Sequence, residues 1–397
     1  MPETPATRPG LAIFLLLSMV VLGVFPLDVV LPSFPALADY FQRTPGDIAL
    51  SISLFAIGIS LSQLLIGPLS DRIGRKSLLL AGMALSIVGA AGCVLSTDYG
   101  GFLLFRCLQA VGCGCFVLSQ ALIQDLFTGK QRDQLRILMV TASGLAISLS
   151  PLAGTVLQDA FDWPGSFWVF IALGLTVWVI AWRHLRDNPA RNPSSHSLLR
   201  AYALVCRNPT FISYWLISAI AFACHFSFIV MSPLLFLEQL HLSSYTFSLI
   251  LLVYGAAYVG GGVLAHGLSK RISANRQIIA GLLLIVLAGG LMGLLHRHAG
   301  LTVFNVLLPM MVCTMGITIA RPIATSRAMD VFPDLAGTAS SAGSALIFIC
   351  GGVVSAWVNL SPASLQVTLA ITFMALGLIA LGLILSTRRR QRAQHPA

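Results

Sequence analysis

Charged residues are scarce in this chain of 397 residues, and acidic residues are the scarcest of them. Aspartate and glutamate number 14 and lysine and arginine 24, so 10% of the chain is charged, whereas 57% is hydrophobic and the mean hydropathy is +0.88. This composition excludes a soluble globular protein, because so few polar residues could not cover its outside. It predicts an integral membrane protein with no separate soluble domain.

Enzyme motifs are lacking as well. The sequence contains no nucleotide-binding glycine loop, no metal-ligand cluster and no nucleophile motif. Its eight cysteines lie mostly in apolar runs, with no paired spacing beyond Cys113 and Cys115, which favours small core residues over a disulfide or metal site. We therefore expect neither an enzyme nor a cofactor, and a proton gradient as the only energy source.

Long apolar runs make up most of the chain. A helix of roughly 20 residues crosses the hydrocarbon core of a bilayer. We predict an all-α membrane protein with twelve spans, at residues 11–36, 47–68, 77–96, 100–124, 135–157, 165–183, 211–237, 244–268, 276–295, 299–322, 337–357 and 364–386. The first run has no clear small-residue cleavage site, so we interpret it as a retained span and not as a signal peptide.

A polar segment recurs at the same place in each half of the chain. The segment GPLSDRIGRK at 67–76 lies between apolar runs, which predicts a short turn in water. LSKRIS at 268–273 follows LSDRIG at 69–74 by 199 residues. This repeat predicts two six-helix bundles related by pseudo-two-fold symmetry. We assign 1–183 to the first bundle, 184–210 to a cytoplasmic linker, and 211–397 to the second bundle with a basic cytoplasmic tail.

The positive charges are distributed unevenly between the predicted span ends. All but three of the 24 lysines and arginines, Arg321 included, fall at one set of alternating ends; the exceptions are Arg43, Arg106 and Arg297. This positive-inside pattern predicts that both termini lie in the cytoplasm and that the protein is in the cytoplasmic (inner) membrane. The net charge of +10 therefore points to lipid headgroups as partners and not to nucleic acid.

Asp28 is the one acidic residue that we place well inside a predicted span. Carboxylates within a membrane are costly and are seldom without function. Such a group can bind and release a proton as its surroundings change, which is what proton coupling requires. Counting the rise along each helix places Asp28 and Arg106 at a similar depth, so we expect them to interact. The alternative is a fixed structural ion pair.

Polar residues recur along one face of the fourth predicted span. They follow one another at steps of three or four residues, which is the helical period, and the face that they form is too polar for lipid. We therefore predict that this face lines a central cavity. A structural arginine that only donates to carbonyl groups is the alternative for Arg106. The face consists of Arg106, Gln109, Cys113, Phe116, Gln120 and Gln124.

In the second half, His225 is the only titratable residue that we place in the middle of a span. Histidine titrates near neutral pH and could relay protons, although a lone helical histidine is more often a hydrogen-bonded core residue. Neighbouring aromatic residues could accept an aromatic compound. The complete set of predicted substrate-binding residues is Phe25, Asp28, Phe55, Arg106, Gln109, Cys113, Phe116, Gln120, Phe222, Phe226, Tyr254 and Tyr258.

Three of these patterns together resemble a known family. Segment 67–76, the Arg106, Gln109 and Gly112 spacing, and Asp28 with Leu31 and Pro32 are similar to motifs of the major facilitator superfamily, and specifically of Bcr/CflA drug:proton antiporters. The resemblance implies that Asp28 binds protons and substrate. It also implies a cytoplasmic gate, in which Asp71 faces the eleventh helix and Arg72 and Arg75 pair with Asp125. The gate residues are Gly67, Asp71, Arg72, Gly74, Arg75, Lys76 and Asp125.

Two features depart from the family pattern. The antiporter motif of the fifth helix is a ladder of glycines, and here it reads Ala146, Ser150, Pro151, Gly154 and Thr155. Gln124 also stands before Asp125 where these antiporters usually have arginine. The resemblance implies a monomer that exports small amphipathic antimicrobials, phenicol-like or multidrug, in exchange for protons by alternating access. The alternatives are an exporter of a metabolite such as an amino acid, nucleoside or siderophore, and a membrane receptor that does not transport.

Overall fold

The computed structural model describes residues 9–127, 129–185, 198–332, 336–361 and 364–394, and every regular element in these ranges is helical. The first half contains α1 (Pro9–Asp28), α2 (Phe34–Phe41), α3 (Pro45–Ile73), α4 (Arg75–Leu95), α5 (Tyr99–Cys113), α6 (Leu118–Leu126), α7 (Gly129–Phe161) and α8 (Gly165–His184). The second half contains α9 (Leu198–Arg207), α10 (Pro209–Pro233), α11 (Ser244–Ser269), α12 (Ala274–Ala299), α13 (Val303–Met329), α14 (Ala336–Leu360) and α15 (Leu365–Gln394).

Eleven helical segments in the described ranges are long and apolar enough to cross a membrane. The helix α7, which covers the fifth predicted span, is a further helix of 33 residues. The predicted all-α membrane fold is therefore confirmed. The described residues form two compact units, one within Met1–Arg43 and Gly58–His196 and the other within Thr44–Ile57 and Ser197–Ala397. The proposed boundaries of the two bundles stay a prediction.

The first half of α3 groups with the second unit because it packs closely on α14. The hydroxyls of Ser53 and Ser355 lie 2.8 Å apart, and Asn359 Nδ2 donates to the carbonyl of Gly46 at 2.6 Å. A Cβ at Gly352 would lie 2.8 Å from the carbonyl of Ser53. Small residues therefore allow these two helices to approach within backbone contact.

The first predicted span is broken, and Asp28 lies at the break. The helix α1 ends at Asp28, a 3-10 turn follows at Leu31–Ser33, and α2 continues to Phe41. Proline at 32 lacks the N–H that a continuing helix needs, so the hydrogen-bond ladder stops here. This corrects the expected single helix over 11–36. The break leaves carbonyl groups in the last turn of α1 available for other donors.

The fourth predicted span is broken too. A 3-10 turn at Gly114–Val117 separates α5 from α6, and a Cβ at Gly114 would collide with the side chain of Ser62. A 3-10 turn winds more tightly than an α-helix, so residues before and after it do not keep one common face. The 3-10 turn interrupts the predicted polar face from 106 to 124. Arg106, Gln109 and Cys113 share its α5 part, and the side chains of Gln120 and Gln124 lie outside the described residues.

The repeat seen in the sequence corresponds to a repeated helix crossing. In the first unit, a Cβ at Gly112 of α5 would lie 2.6 Å from the carbonyl of Gly82 in α4. In the second unit, a Cβ at Gly316 of α13 would collide with the carbonyl of Gly281 in α12. Gly82 and Gly281 are 199 residues apart, which is the offset of the repeat. Gly112 and Gly316 are 204 residues apart, so one of the two glycines at each contact follows the repeat and the other does not.

Part of the predicted linker is helical. The helix α9 lies within 184–210 and packs against α10 and α14, with Val205 fully buried. Partial burial raises the pKa of the Tyr202 phenol, and a hydrogen bond with Ser341 opposes this effect. The described part of the linker therefore belongs to the packed structure of the second unit.

Candidate functional site

Arg106 lies two turns into α5 and is 1% exposed. The helix is capped by Asp98, whose carboxylate accepts from the N–H of Gly101 at 2.9 Å. Arg106 Nη1 donates to Gln109 Oε1 at 2.7 Å, and Nη2 donates to the carbonyl of Pro26. The guanidinium carbon also lies 5.5 Å from the ring centroid of Phe167. Arg106 therefore joins α5 to the last turn of α1.

The contact with Pro26 brings Arg106 to within two residues of Asp28. Asp28 is partly exposed, and among the described side chains no ion pair joins it to Arg106. The guanidinium instead stabilises a carbonyl that the end of α1 leaves without an intrahelical partner. For this structure, the carbonyl-binding alternative replaces the expected pairing of Asp28 with Arg106.

The fifth predicted span reaches the same break. A Cβ at Gly154 of α7 would collide with the carbonyl of Val29 and would lie 3.2 Å from Pro32 Cδ. Ser150 is buried, and Thr155 Oγ1 donates to the carbonyl of Pro151 at 3.2 Å. The small residues of the predicted antiporter motif thus let α7 lie against the residues that follow Asp28. The structure brings together Asp28, Arg106 and Gly154 on three helices.

The other predicted residues of the first half are packed inside the protein. Phe25, Gln109, Cys113 and Phe116 are buried, and Phe116 packs against α1 at Gly23. Phe55 is fully buried and lies in the segment that groups with the second unit. The side chain of Gln120 lies outside the described residues.

The second unit contains a buried hydrogen-bonded cluster around His225. His225 Nδ1 lies 2.7 Å from the hydroxyl of Tyr254, and Thr314 Oγ1 donates to that hydroxyl at 2.6 Å. The three side chains come from α10, α11 and α13 and are at most 7% exposed. The ring of Tyr258 is nearly perpendicular to the imidazole, with ring centroids 5.3 Å apart. A hydroxyl–imidazole chain of this kind can hold or pass a proton.

Arg321 lies further inside a spanning helix than the sequence predicted. We expected it at the cytoplasmic end of the span 299–322, but α13 continues to Met329, eight residues further on. Its guanidinium carbon lies 4.9 Å from the ring centroid of Phe222 on α10. His225 is therefore not the only titratable residue inside a span of the second half. No local signal in the sequence reveals this position, since Pro322 directly follows Arg321 and favours a helix end there.

Phe222 belongs to a group of aromatic side chains. Its ring stacks on Phe226 with centroids 5.4 Å apart, and Phe348 of α14 meets it edge-on at 5.3 Å. Phe222 and His225 are also in contact, at 6.3 Å between centroids. The predicted residues Phe222, Phe226, Tyr254 and Tyr258 are thus brought together, and Arg321 lies beside them.

The predicted gate segment is almost entirely helical, and the connection between its two helices is a single residue. The helix α3 continues to Ile73 and α4 begins at Arg75, so only Gly74 interrupts the helices. Its φ of 99° is one that other residues rarely adopt, which explains a glycine at this position. Arg75 and Lys76 are partly exposed, and Gly67 accepts from Ser70 Oγ at 2.7 Å. The side chains of Asp71, Arg72 and Asp125 lie outside the described residues, and so does that of Gln124.

Comparisons with known proteins agree with this architecture. Residues 13–356 match the family model described as Major Facilitator Superfamily. The chain is 26% identical over 377 residues to an uncharacterized MFS-type transporter, YdgK of Bacillus subtilis, covering 91% of this chain and 92% of the relative.

Two further matches cover most of the chain. It is 24% identical over 358 residues to the multidrug resistance protein MdtL of Citrobacter koseri, covering 87% of each chain. The structure of the POT family transporter PepTSo superimposes with a TM-score of 0.78 at 14% identity, over 98% of this chain and 99% of that one. At this low identity, the structural match shows the fold alone.

Proposed function

Because this chain belongs to the major facilitator superfamily, whose members are membrane transporters and generally not enzymes, we propose that it is a proton-coupled exporter. Its substrates would be small amphipathic antimicrobials, phenicol-like or multidrug, and it would move them across the cytoplasmic membrane by alternating access. The name of the relative MdtL, a multidrug resistance protein, supports export of drugs. We further propose a monomer of the Bcr/CflA type with both termini in the cytoplasm.

The observation that carries this proposal is the meeting of three helices at Asp28. Its carboxylate lies at the end of α1. Arg106 donates to a carbonyl in the preceding turn, and Gly154 allows α7 to pack closely against the residues that follow. A carboxylate at a helix break can change its surroundings when the neighbouring helices move, because no continuous hydrogen-bond ladder fixes it. Such a change would let Asp28 take a proton on one side of the membrane and release it on the other.

The energy available is sufficient for such a cycle. One proton moving through a potential of 100 mV supplies about 2.3 kcal/mol, which is enough to bias one step between two conformations. Binding of the proton neutralises Asp28 and lowers the cost of placing it in an apolar environment. In this proposal, substrate and proton compete for the same residues. The gate formed by Asp71, Arg72, Arg75 and Asp125 would stabilise the state that is closed to the cytoplasm.

Drug susceptibility tests this function most simply. We expect expression in a strain that lacks its main efflux pumps to raise the inhibitory concentration for at least one of the phenicols, bicyclomycin-like agents, aromatic acids or cationic dyes. Asp28→Asn should remove this resistance at an equal amount of protein in the membrane. Asp39→Asn, on the exposed surface of α2, is the matched control and should keep it. Unchanged susceptibility to every compound would favour export of a metabolite or a receptor.

A further inference from the structure

Arg321 contacts the middle of a spanning helix. Phe222, on whose ring the guanidinium lies, is 13 residues after the start of α10 and 11 residues before its end. Arginines near the end of a spanning helix usually extend toward the headgroups. Arg321 does the opposite, because its guanidinium contacts a ring at the centre of the neighbouring helix.

The helices α10 to α15 offer this cation no carboxylate, and Glu238, which follows α10, lies 16 residues beyond Phe222. The sequences of α10 to α15 contain neither aspartate nor glutamate. Asp330 lies beyond the end of α13 and pairs with Arg327, and Asp47 accepts from the hydroxyl of Thr44. Among the described residues, Arg321 makes no hydrogen bond and no ion pair. A guanidinium in apolar surroundings is costly unless an anion or acceptor meets it.

The guanidinium carbon of Arg321 lies over the ring of Phe222, 4.9 Å from its centroid. A guanidinium carries its N–H donors in one plane, where they match the oxygens of a carboxylate or sulfonate. The same Phe222 ring stacks on Phe226 with centroids 5.4 Å apart and meets Phe348 edge-on at 5.3 Å, so three rings adjoin one another where the guanidinium lies. A charged donor next to a group of rings is suited to a ligand that has an acidic group attached to an aromatic ring.

We propose that Arg321, together with Phe222, Phe226 and Phe348, forms a binding site for aromatic organic anions. Arg321 binds the acidic group, and the phenylalanine rings bind the aromatic part. This inference rests on the proposed function, since it names the charge class of compound that the exporter prefers. It excludes a preference for cationic dyes, because Arg321 would repel them.

Three naphthalene probes that share one ring system and differ in charge can test the site. They are naphthalenesulfonate, the neutral naphthalenemethanol and the cationic naphthylmethylammonium. Binding to the purified full-length protein in an uncharged maltoside detergent is measured by calorimetry. We expect the sulfonate to bind about tenfold more tightly than the alcohol, and the ammonium to bind least.

Variants then assign the preference to Arg321. Arg321→Gln should bring the sulfonate and the alcohol to equal affinity, whereas Arg321→Lys should keep part of the difference. Arg327→Gln is the matched control, since it removes an exposed arginine from the same helix and should leave the preference unchanged. If Arg321→Gln does not fold, the preference of the wild type among the three probes still decides the question.

Several outcomes would overturn the inference. They are equal binding of the three probes by the wild type, a preference for the ammonium, no binding of any probe, or an equal loss in Arg327→Gln. Displacement of the sulfonate by phosphatidylglycerol, dependent on Arg321, would identify a lipid headgroup as the natural anion and would also overturn it. If expression gives resistance to neutral or cationic drugs and the protein shows no preference for anions, the anion site is refuted and the exporter function is not. If the protein binds the anion but transports nothing, the exporter function is refuted and the anion site is not.

Discussion

Arg106 in the first unit and Arg321 in the second both lie inside spanning helices, but the protein holds them differently. Arg106 donates to a carbonyl and to an amide oxygen and is almost fully enclosed. Arg321 is partly exposed and lies on an aromatic ring. The donors of Arg106 are therefore used to hold α1 and α5 together next to Asp28, whereas those of Arg321 are available to a ligand. The same residue type serves structure in one half and binding in the other.

Replacing each arginine by methionine should separate these roles most strongly. Arg106→Met leaves the Pro26 carbonyl and the Gln109 amide oxygen without their donor, at about 1 to 3 kcal/mol for each unsatisfied group. Arg321→Met keeps an apolar contact with Phe222 and should cost less than about 1 kcal/mol. Thermal unfolding in detergent measures the difference. Equal decreases in melting temperature would show that Arg321 is also structural.

Adding a side chain at the glycine contact between neighbouring helices should reduce stability by a smaller amount, and by a similar amount in the two halves. Gly112→Val and Gly316→Val each place methyl groups against the backbone of the neighbouring helix, and overpacking of this kind costs about 1 to 3 kcal/mol. Gly262→Val on α11 is the control, because a Cβ there meets nothing within 4 Å. Thermal unfolding of the three variants is the measurement. A large effect in only one half would break the equivalence of the crossings.

The smallest effect is expected at the hydroxyl that joins His225 to Thr314. Tyr254→Phe removes both hydrogen bonds while keeping the ring, which should destabilise the protein by about 1 to 2 kcal/mol. Tyr40→Phe, at a half-exposed ring, should have no measurable effect. Thermal unfolding again reports both. If the two variants behave alike, the His225 cluster does not contribute to the stability of the second unit.

The sequence allowed the spans to be predicted well where hydropathy alone decides them. The predicted span 165–183 corresponds to α8 at Gly165–His184, and 276–295 lies within α12 at Ala274–Ala299. Apolar length sets these helices, because every backbone polar group in a bilayer must be satisfied within its own helix. The glycine repeat was also visible in the sequence, since close helix packing requires small residues at fixed positions.

The helix breaks and the position of Arg321 could not be predicted in this way. Hydropathy does not describe the interruptions after Asp28 and Cys113. Pro32 accompanies the first, whereas the second contains no proline and lies where Gly114 packs closely on Ser62 of α3. The predicted span 299–322 ended just after Arg321, yet α13 continues through Arg321 and Pro322 to Met329. Neighbouring helices can support a proline within a spanning helix. The helix α13 packs against α10 and α12, and this packing is not encoded in any local pattern.

Asp28 is the residue that we propose couples substrate movement to proton movement. The direct test uses proteoliposomes that contain a pH-sensitive dye and either the wild type, Asp28→Asn or Asp39→Asn. The added compound is the one to which expression gives the strongest resistance. We predict that it moves protons across the membrane with the wild type and with Asp39→Asn, but not with Asp28→Asn, although all three insert equally. Undiminished proton movement with Asp28→Asn would show that Asp28 does not couple the two movements.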